Sequence, residues 1–243
     1  MEILKVCNVS YTYESKFQKV EAVKNVSCVF ESGKMYAITG ESGSGKSSLL
    51  SLLAGLDVPT SGEILYKGKS LQEMDRTKYR KDEISIIYQA FNLFPLLTAV
   101  QNVQYPLELN GMSAKEAEKK AKECLEMVDL TEEKHMRRPS RMSGGEQQRV
   151  AVARALAKGA FAVLADEPTG NLDSKNTDNV TALLKKIAQE TETAVIIVTH
   201  DRELAEQADT IFSMKDGELT VQSGGEQSVK NVEYDGENSS WSR

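Results

Sequence analysis

Eight residues constrain this chain more than any others: Gly40-Glu41-Ser42-Gly43-Ser44-Gly45-Lys46-Ser47. They fit the pattern G-x-x-x-x-G-K-[ST]. The run before them, Met35-Tyr36-Ala37-Ile38-Thr39, is apolar and reads as a buried strand. The run after them, Ser48-Leu49-Leu50-Ser51-Leu52-Leu53-Ala54, reads as a helix with an apolar face. A strand that curls through glycines into a helix points successive backbone N–H groups inward, at the positive end of the helix dipole. Such a loop is suited to phosphate oxygens. Lys46 brings a full charge to the outer phosphates, and the Ser47 hydroxyl can ligate Mg²⁺. A plain Gly/Ser-rich turn would need neither the Lys-Ser pair nor both flanking elements.

A strand–loop–helix of this kind belongs in an α/β sheet. Strand candidates Ser85–Tyr88, Phe161–Ala165, Ala194–Thr199 and Thr210–Met214 alternate with helical patterns, as that architecture requires. The second and third are nearly continuous in apolar residues, which fits parallel strands covered on both faces. The first 35 or so residues are richer in Val, Tyr, Thr and Phe with polar alternation, and suggest an antiparallel β piece. Asp216-Gly217 reads as a hairpin turn. A helical block occupies about residues 90–155. In it Ser113-Ala114-Lys115-Glu116 is a capping box, and Ala117, Ala121, Cys124, Leu125 and Val128 share one helical face. From Ser223 onward the chain turns polar. The expected organisation is therefore a P-loop NTPase core of class α/β with a mostly parallel sheet, an N-terminal antiparallel β subdomain and an inserted α-helical subdomain. These fill residues 1–222, and a polar tail fills 223–243.

A net charge of −6 argues against a nucleic-acid partner, which would want a basic face. The three cysteines, Cys7, Cys28 and Cys124, have no metal-ligand spacing and read as reduced thiols. Met1-Glu2-Ile3-Leu4-Lys5 lacks signal-peptide architecture, and no apolar run reaches the ~18 residues that span a bilayer. A membrane role would run through docking to another protein.

Ser143-Gly144-Gly145-Glu146-Gln147-Gln148-Arg149 opens a second strong helical run. Ser143-x-x-Glu146 alone is only a capping box. Two glycines in the first turn spoil that reading, because each weakens the helix by about 1 kcal/mol. They make sense if something must approach the backbone closely, and a glycine-led helix start is a second phosphate site. One nucleotide does not need two such sites on one subunit.

With these two sites in view, the chain resembles the nucleotide-binding subunit of ABC transporters over residues 1 to about 220. Met142–Gln147 resembles the family's signature motif, with Met142 where Leu is usual and Glu146 where Gln is frequent. Asp166 and Glu167, ending an apolar strand, resemble the Walker B motif; Gln89 looks like the Q-loop glutamine, Asn171-Leu172-Asp173 like the D-loop, and His200 like the switch histidine. Tyr13 is placed like the aromatic that stacks on adenine, although Tyr11 and Tyr13 would also suit a strand face. Glu167–Asp173 and Gln89–Pro95 are close in wording to the lipoprotein-release, macrolide-export and antimicrobial-peptide-resistance branch.

The resemblance implies an ATPase. Its ATP contacts would be Tyr13, Gly40, Glu41, Ser42, Gly43, Ser44, Gly45, Lys46, Ser47, Ser48, Gln89, Ser143, Gly144, Gly145, Glu146, Asp173 and His200. Mg²⁺ wants hard oxygen ligands, which Ser47, Gln89 and Asp166 can supply. Glu167, Lys46 and His200 are the expected catalytic residues, with Glu167 deprotonating water. An acidic pair after a strand could instead cap a helix, but Pro168 biases Glu167 away from helical geometry. His135, beside Arg137 and Arg138, is expected on a solvated surface. The implied partners are a second copy, paired head to tail, and a separate membrane permease. The implied location is cytoplasmic, on the inner face of the cell membrane. Phe91-Asn92-Leu93-Phe94-Pro95-Leu96-Leu97 is the expected permease contact, with Phe91 or Leu93 as exposed anchors. The rival reading is a mechanotransmission ATPase that moves no substrate.

Overall fold

The structure is a computed structural model that describes residues 1–14 and 18–223. Two long strands, β1 (Glu2–Glu14) and β2 (Lys19–Glu31), form an antiparallel ribbon. Strand β3 (Met35–Thr39) leads through the glycine loop into α1 (Lys46–Leu53). Strands β4 (Ser61–Tyr66) and β5 (Lys69–Ser70) complete an antiparallel sheet of order β2-β1-β4-β5. Helix α2 (Arg76–Lys78) runs into a wide π-type turn, Tyr79–Glu83, and then β6 (Ile84–Ile87). Four helices follow: α3 (Ala99–Leu109), α4 (Ala114–Met127), α5 (Glu132–His135) and α6 (Gly144–Ala157). The chain returns through β7 (Ala162–Asp166), α7 (Ser174–Thr191), β8 (Ala194–Thr199), α8 (Arg202–Glu206), β9 (Thr210–Lys215) and β10 (Glu218–Ser223).

The second sheet has order β10-β9-β3-β8-β7-β6. All its pairings are parallel except the β9–β10 hairpin, which turns at Asp216-Gly217. Its central strands are buried on both faces, and the two-residue side-chain period divides them between two cores. Met35, Val163, Val195 and Ile197 face a core shared with α3, α4, α6 and α7. Tyr36, Leu164, Ile196 and Val198 face a core shared with α1 and the antiparallel sheet. The parallel sheet is thus the wall between two hydrophobic bodies, and its carboxyl edge carries the loops after β3, β7 and β8.

Helix α4 buries Ala117, Ala121, Cys124 and Leu125, the face its spacing anticipates. The Ser113 hydroxyl accepts from the Glu116 N–H at 3.4 Å and donates to the Glu116 carboxylate. Two expectations need correction. His135 is 2% exposed rather than solvated, because α5 turns it inward until Nε2 meets the Leu130 carbonyl at 2.9 Å. Phe91 and Leu93 are partly buried, Leu93 against the helical core; Phe94 (45%) and Leu96 (76%) are the exposed large apolar members of that segment. The apolar run has no helical period, so spacing could not decide which of its members packs. Among the described residues no helix is long and apolar enough to cross a membrane.

Candidate functional site

The glycine loop begins at the end of β3. Gly43 has φ 82° and Gly45 φ 106°, left-handed values that suit glycine. A Cβ on Gly45 would sit 2.1 Å from the Ala22 carbonyl oxygen, so the loop also needs the space. Gly45 is the N-cap of α1, yet no side chain caps this helix and no acid occupies its first turn. Its leading N–H groups lack the side-chain partner that helix starts ordinarily recruit. The Lys46 ammonium lies back across the loop, donating to the carbonyls of Gly40 at 2.8 Å and Glu41 at 2.9 Å. This uncapped helix start opens onto a cleft of about 600 Å³.

The cleft gathers Tyr13, Gly40, Glu41, Ser42, Gly43, Gly45, Lys46, Ser47, Ser48, Gln89, Asp166, Glu167 and His200 on one surface. Val20, Ala22 and Val198 complete its lining. Sequence reasoning missed these apolar three. The signal for Val20 was the β1–β2 hairpin, whose register sets Val20 opposite Tyr13. The Tyr13 ring is 47% exposed, edge-on to Tyr11 at 4.8 Å, and its hydroxyl lies 3.2 Å from Ser48 Oγ. Ser44 does not line the cleft; its hydroxyl is buried without a partner.

Asp166 ends β7, where burial raises its carboxyl pKa; the neighbouring Glu167 raises it further and Lys46 offsets part of the rise. Glu167 has φ 45°, so it is neither helical nor extended. A non-glycine residue in that region costs about 1–3 kcal/mol and persists only where its surroundings fix it. Here its N–H donates to the Val198 carbonyl at 2.9 Å. Its carboxylate accepts from Thr199 Oγ1 at 3.2 Å, the His200 N–H at 3.4 Å and His200 Nδ1 at 2.9 Å. With Nδ1 donating, Nε2 of this exposed ring stays free. Thr199 is a fourth residue the sequence did not single out; its place one before His200, at a strand end, was the available cue.

Ser143, Gly144, Gly145, Glu146 and Asp173 lie outside the cleft. Helix α6 closes its own capping box: Ser143 Oγ accepts from the Glu146 N–H at 3.3 Å, and Glu146 accepts from the Ser143 N–H at 2.8 Å. Lys134 pairs with Glu146 at 3.0 Å. The Glu146 pKa is lowered, first by the Ser143 N–H and then by Lys134. Asp173 caps α7 through the Asn176 N–H at 2.9 Å.

A family model described as ABC transporter matches residues 23–170. MJ0796, an ABC transporter ATP-binding protein of Methanocaldococcus jannaschii, is 44% identical over 223 residues, spanning 89% of this chain and 95% of that one. The dimeric structure of that cassette gives a TM-score of 0.83 at 41% identity, covering 91% of this chain and 99% of the other. A second dimeric MJ0796 structure, described as a post-hydrolysis state with ADP and Pi, gives the same values. Cassette cbiO1 of Clostridium perfringens, described as part of a cbiONQ transporter complex, gives 0.82 at 28% identity, covering 92% and 88%.

Proposed function

The chain belongs to the ABC transporter family as an ATP-binding, ATP-hydrolysing cassette, and from that premise we propose that it works as a head-to-tail pair of copies driving a separate membrane permease. The observation that carries the reading is a division within one chain. The cleft holds Lys46, Glu167 and His200, while the Ser143-Gly144-Gly145 helix start lies elsewhere. A nucleotide in one cleft meets that helix start only if a second copy supplies it. MJ0796 is a dimer in its solved structures.

In this reading residues 1–222 form one ATP-binding unit, with the helices of about 90–155 inserted in it. The loop amides and Lys46 hold the β- and γ-phosphates, supported by the macrodipole of α1. Tyr13 stacks on the adenine with Val20 beside it, a contact tolerant of base identity. Mg²⁺ fits the donors present: a hydroxyl (Ser47), an amide oxygen (Gln89) and a carboxylate (Asp166), all hard oxygens facing one cleft. The disfavoured charge on Asp166 beside Glu167 is what a divalent cation would relieve. When bound, the ion supplies charge neutralisation at the phosphate oxygens. Glu167 takes the proton of the attacking water, held for this by Thr199 and His200. A doubly protonated His200 ring donates from Nε2 to a γ-phosphate oxygen while Nδ1 keeps its bond to Glu167. Across the pair, Ser143, the Gly144 and Gly145 amides, Glu146 and Asp173 face the other copy's nucleotide.

The permease segment docks beside Phe94 and Leu96. Phe94 packs edge-on against half-exposed Tyr105 at 5.2 Å. Arg154, with Arg80 and Lys158, also lines a depression of about 290 Å³. The Arg154 guanidinium donates to the carbonyls of Asn92 at 2.7 Å and Phe91 at 3.0 Å, and Lys158 to those of Arg80 and Ile84. Cations with carbonyl partners suit a docking segment that carries an acidic side chain among apolar ones. The cassette then lies on the inner face of the cell membrane. The wording of its loops places it with lipoprotein-release and macrolide-export systems.

Glu167→Gln tests the assignment. Turnover is expected to fall about 10²–10⁴-fold, with ATP affinity held within about twofold, because the amide keeps the size and loses the base. Parent-rate hydrolysis by this variant would remove Glu167 as the base.

A further inference from the structure

The loop after Glu167 is tied to two other parts of the machinery. At its start, the Asn171 carboxamide donates to the Gln89 carbonyl at 2.9 Å. A Cβ on Gly170 would lie 2.8 Å from Gln89 Nε2. At its end, the Asn176 carboxamide donates to both carboxylate oxygens of Asp173, at 2.9 and 3.1 Å. The same carboxamide is pressed against the start of α6. A Cβ on Gly145 would lie 2.6 Å from Asn176 Oδ1 and 2.7 Å from its Cγ. Gly144, one residue earlier, is different: a Cβ there would meet only ordinary contacts, the Asn171 carbonyl oxygen at 3.6 Å and Leu172 at 3.7 Å.

We infer that Asn176 is a positioning residue, which clamps Asp173 to the N-terminus of α6 so that the loop after Glu167 and the Ser143 helix start present themselves to a second copy as one body. A side chain at Gly145 would displace the Asn176 carboxamide and release Asp173. The inference rests on the paired reading for its kinetic consequence, but not for the contact itself. Asp173 alone would be an ordinary helix cap. The packing of its partner's carboxamide against a residue of another helix is what turns the cap into a link between the two elements. Through Asn171 the same loop reaches Gln89, so one short segment touches both the cleft and the surface offered to the partner.

Alanine variants at the two glycines separate this from the simpler view that both are needed for close approach by the partner's nucleotide. Glycine weakens a helix, so alanine at either site should raise the melting temperature of the isolated chain unless it meets an obstacle. The clamp predicts opposite signs. Gly144→Ala melts at or above the parent temperature, and Gly145→Ala melts below it, by about 2–4 °C. Replacing Asn176 removes the obstacle, so Gly145→Ala in an Asn176→Ala background no longer lowers melting. In steady-state assays Asn176→Ala should lower kcat several-fold while ATP affinity of the nucleotide cleft stays within about twofold, because Asn176 does not line it. Equal melting effects at 144 and 145, or the same penalty at 145 with and without Asn176, overturn the clamp. Full kcat in Asn176→Ala overturns its positioning role. Absence of ATP hydrolysis in the parent chain would instead overturn the paired ATPase reading, and the melting cycle would still decide the contact.

Discussion

Two glycine-led helix starts in this chain look alike in sequence and differ in what their own chain does to them. Helix α1 begins without a capping side chain and without an acid in its first turn. Helix α6 begins with a closed capping box, an acidic Glu146 and a lysine on that acid. The first is left open to an anion in a cleft that its own subunit completes. The second has part of its dipole already answered by Glu146, and it stands outside that cleft. An anion site that is half satisfied from within needs a ligand presented by something larger. On the paired reading proposed above, α1 binds a nucleotide alone, whereas α6 contributes once a second copy brings one.

The largest effect that sharpens this contrast is at α6. Ser143→Arg should abolish hydrolysis, a loss of at least about 100-fold, while the isolated chain keeps its ATP affinity within about twofold. Loss of nucleotide binding by the monomeric variant would place Ser143 in the nucleotide site of its own chain and break the comparison. At α1 the complementary change is Lys46→Ala. It should weaken ATP binding about 10–100-fold, the weight of a charge-assisted hydrogen bond lost from a bound phosphate. Isothermal titration reads this, with circular dichroism to confirm the fold, and unchanged affinity would remove the distinction between the two helix starts.

A smaller effect separates docking from packing. Leu96→Glu should abolish co-purification with the permease yet leave melting unchanged, because Leu96 is 76% exposed. Leu93→Glu should lower melting, because Leu93 packs on the helical core. The reverse pattern would move the docking face. The smallest effect is electrostatic. Burial and Glu167 raise the Asp166 pKa, so the folded chain holds that proton more tightly than the unfolded one. Stability from this group is therefore greatest at low pH and falls as pH rises from the unfolded value through the raised one. Asp166→Asn should raise the neutral-pH melting temperature of the nucleotide-free chain, on the order of 1 °C, solvent screening keeping it small. An unchanged or lower value would contradict a strained carboxylate pair.

What was legible in the sequence was local. The glycine loop announces itself because strand, left-handed glycines, lysine and helix are contiguous. The doubly covered strands announce themselves through unbroken apolar runs such as Ala194–Val198. What was illegible depends on distant packing. His135 is buried by a helix of one turn, too short for any period to betray its inward face. Leu96 differs from Leu93 only in what the helical core happens to cover. The close packing of Asn176 against Gly145, 31 positions earlier in the chain, leaves no local signal in the sequence. Pro168 correctly signals that Glu167 leaves the helical region, but the left-handed backbone it adopts is fixed by the Val198 carbonyl on a neighbouring strand.

The central claim is that the complete hydrolytic site is built from two copies, and the measurement closest to it is the mass in solution of Glu167→Gln with saturating Mg-ATP. The account predicts sedimentation at twice the chain mass of 26.8 kDa with ATP, and at the single-chain mass once Ser143→Arg is added to the same variant. A protein that binds ATP with full affinity and yet remains a single chain would contradict it.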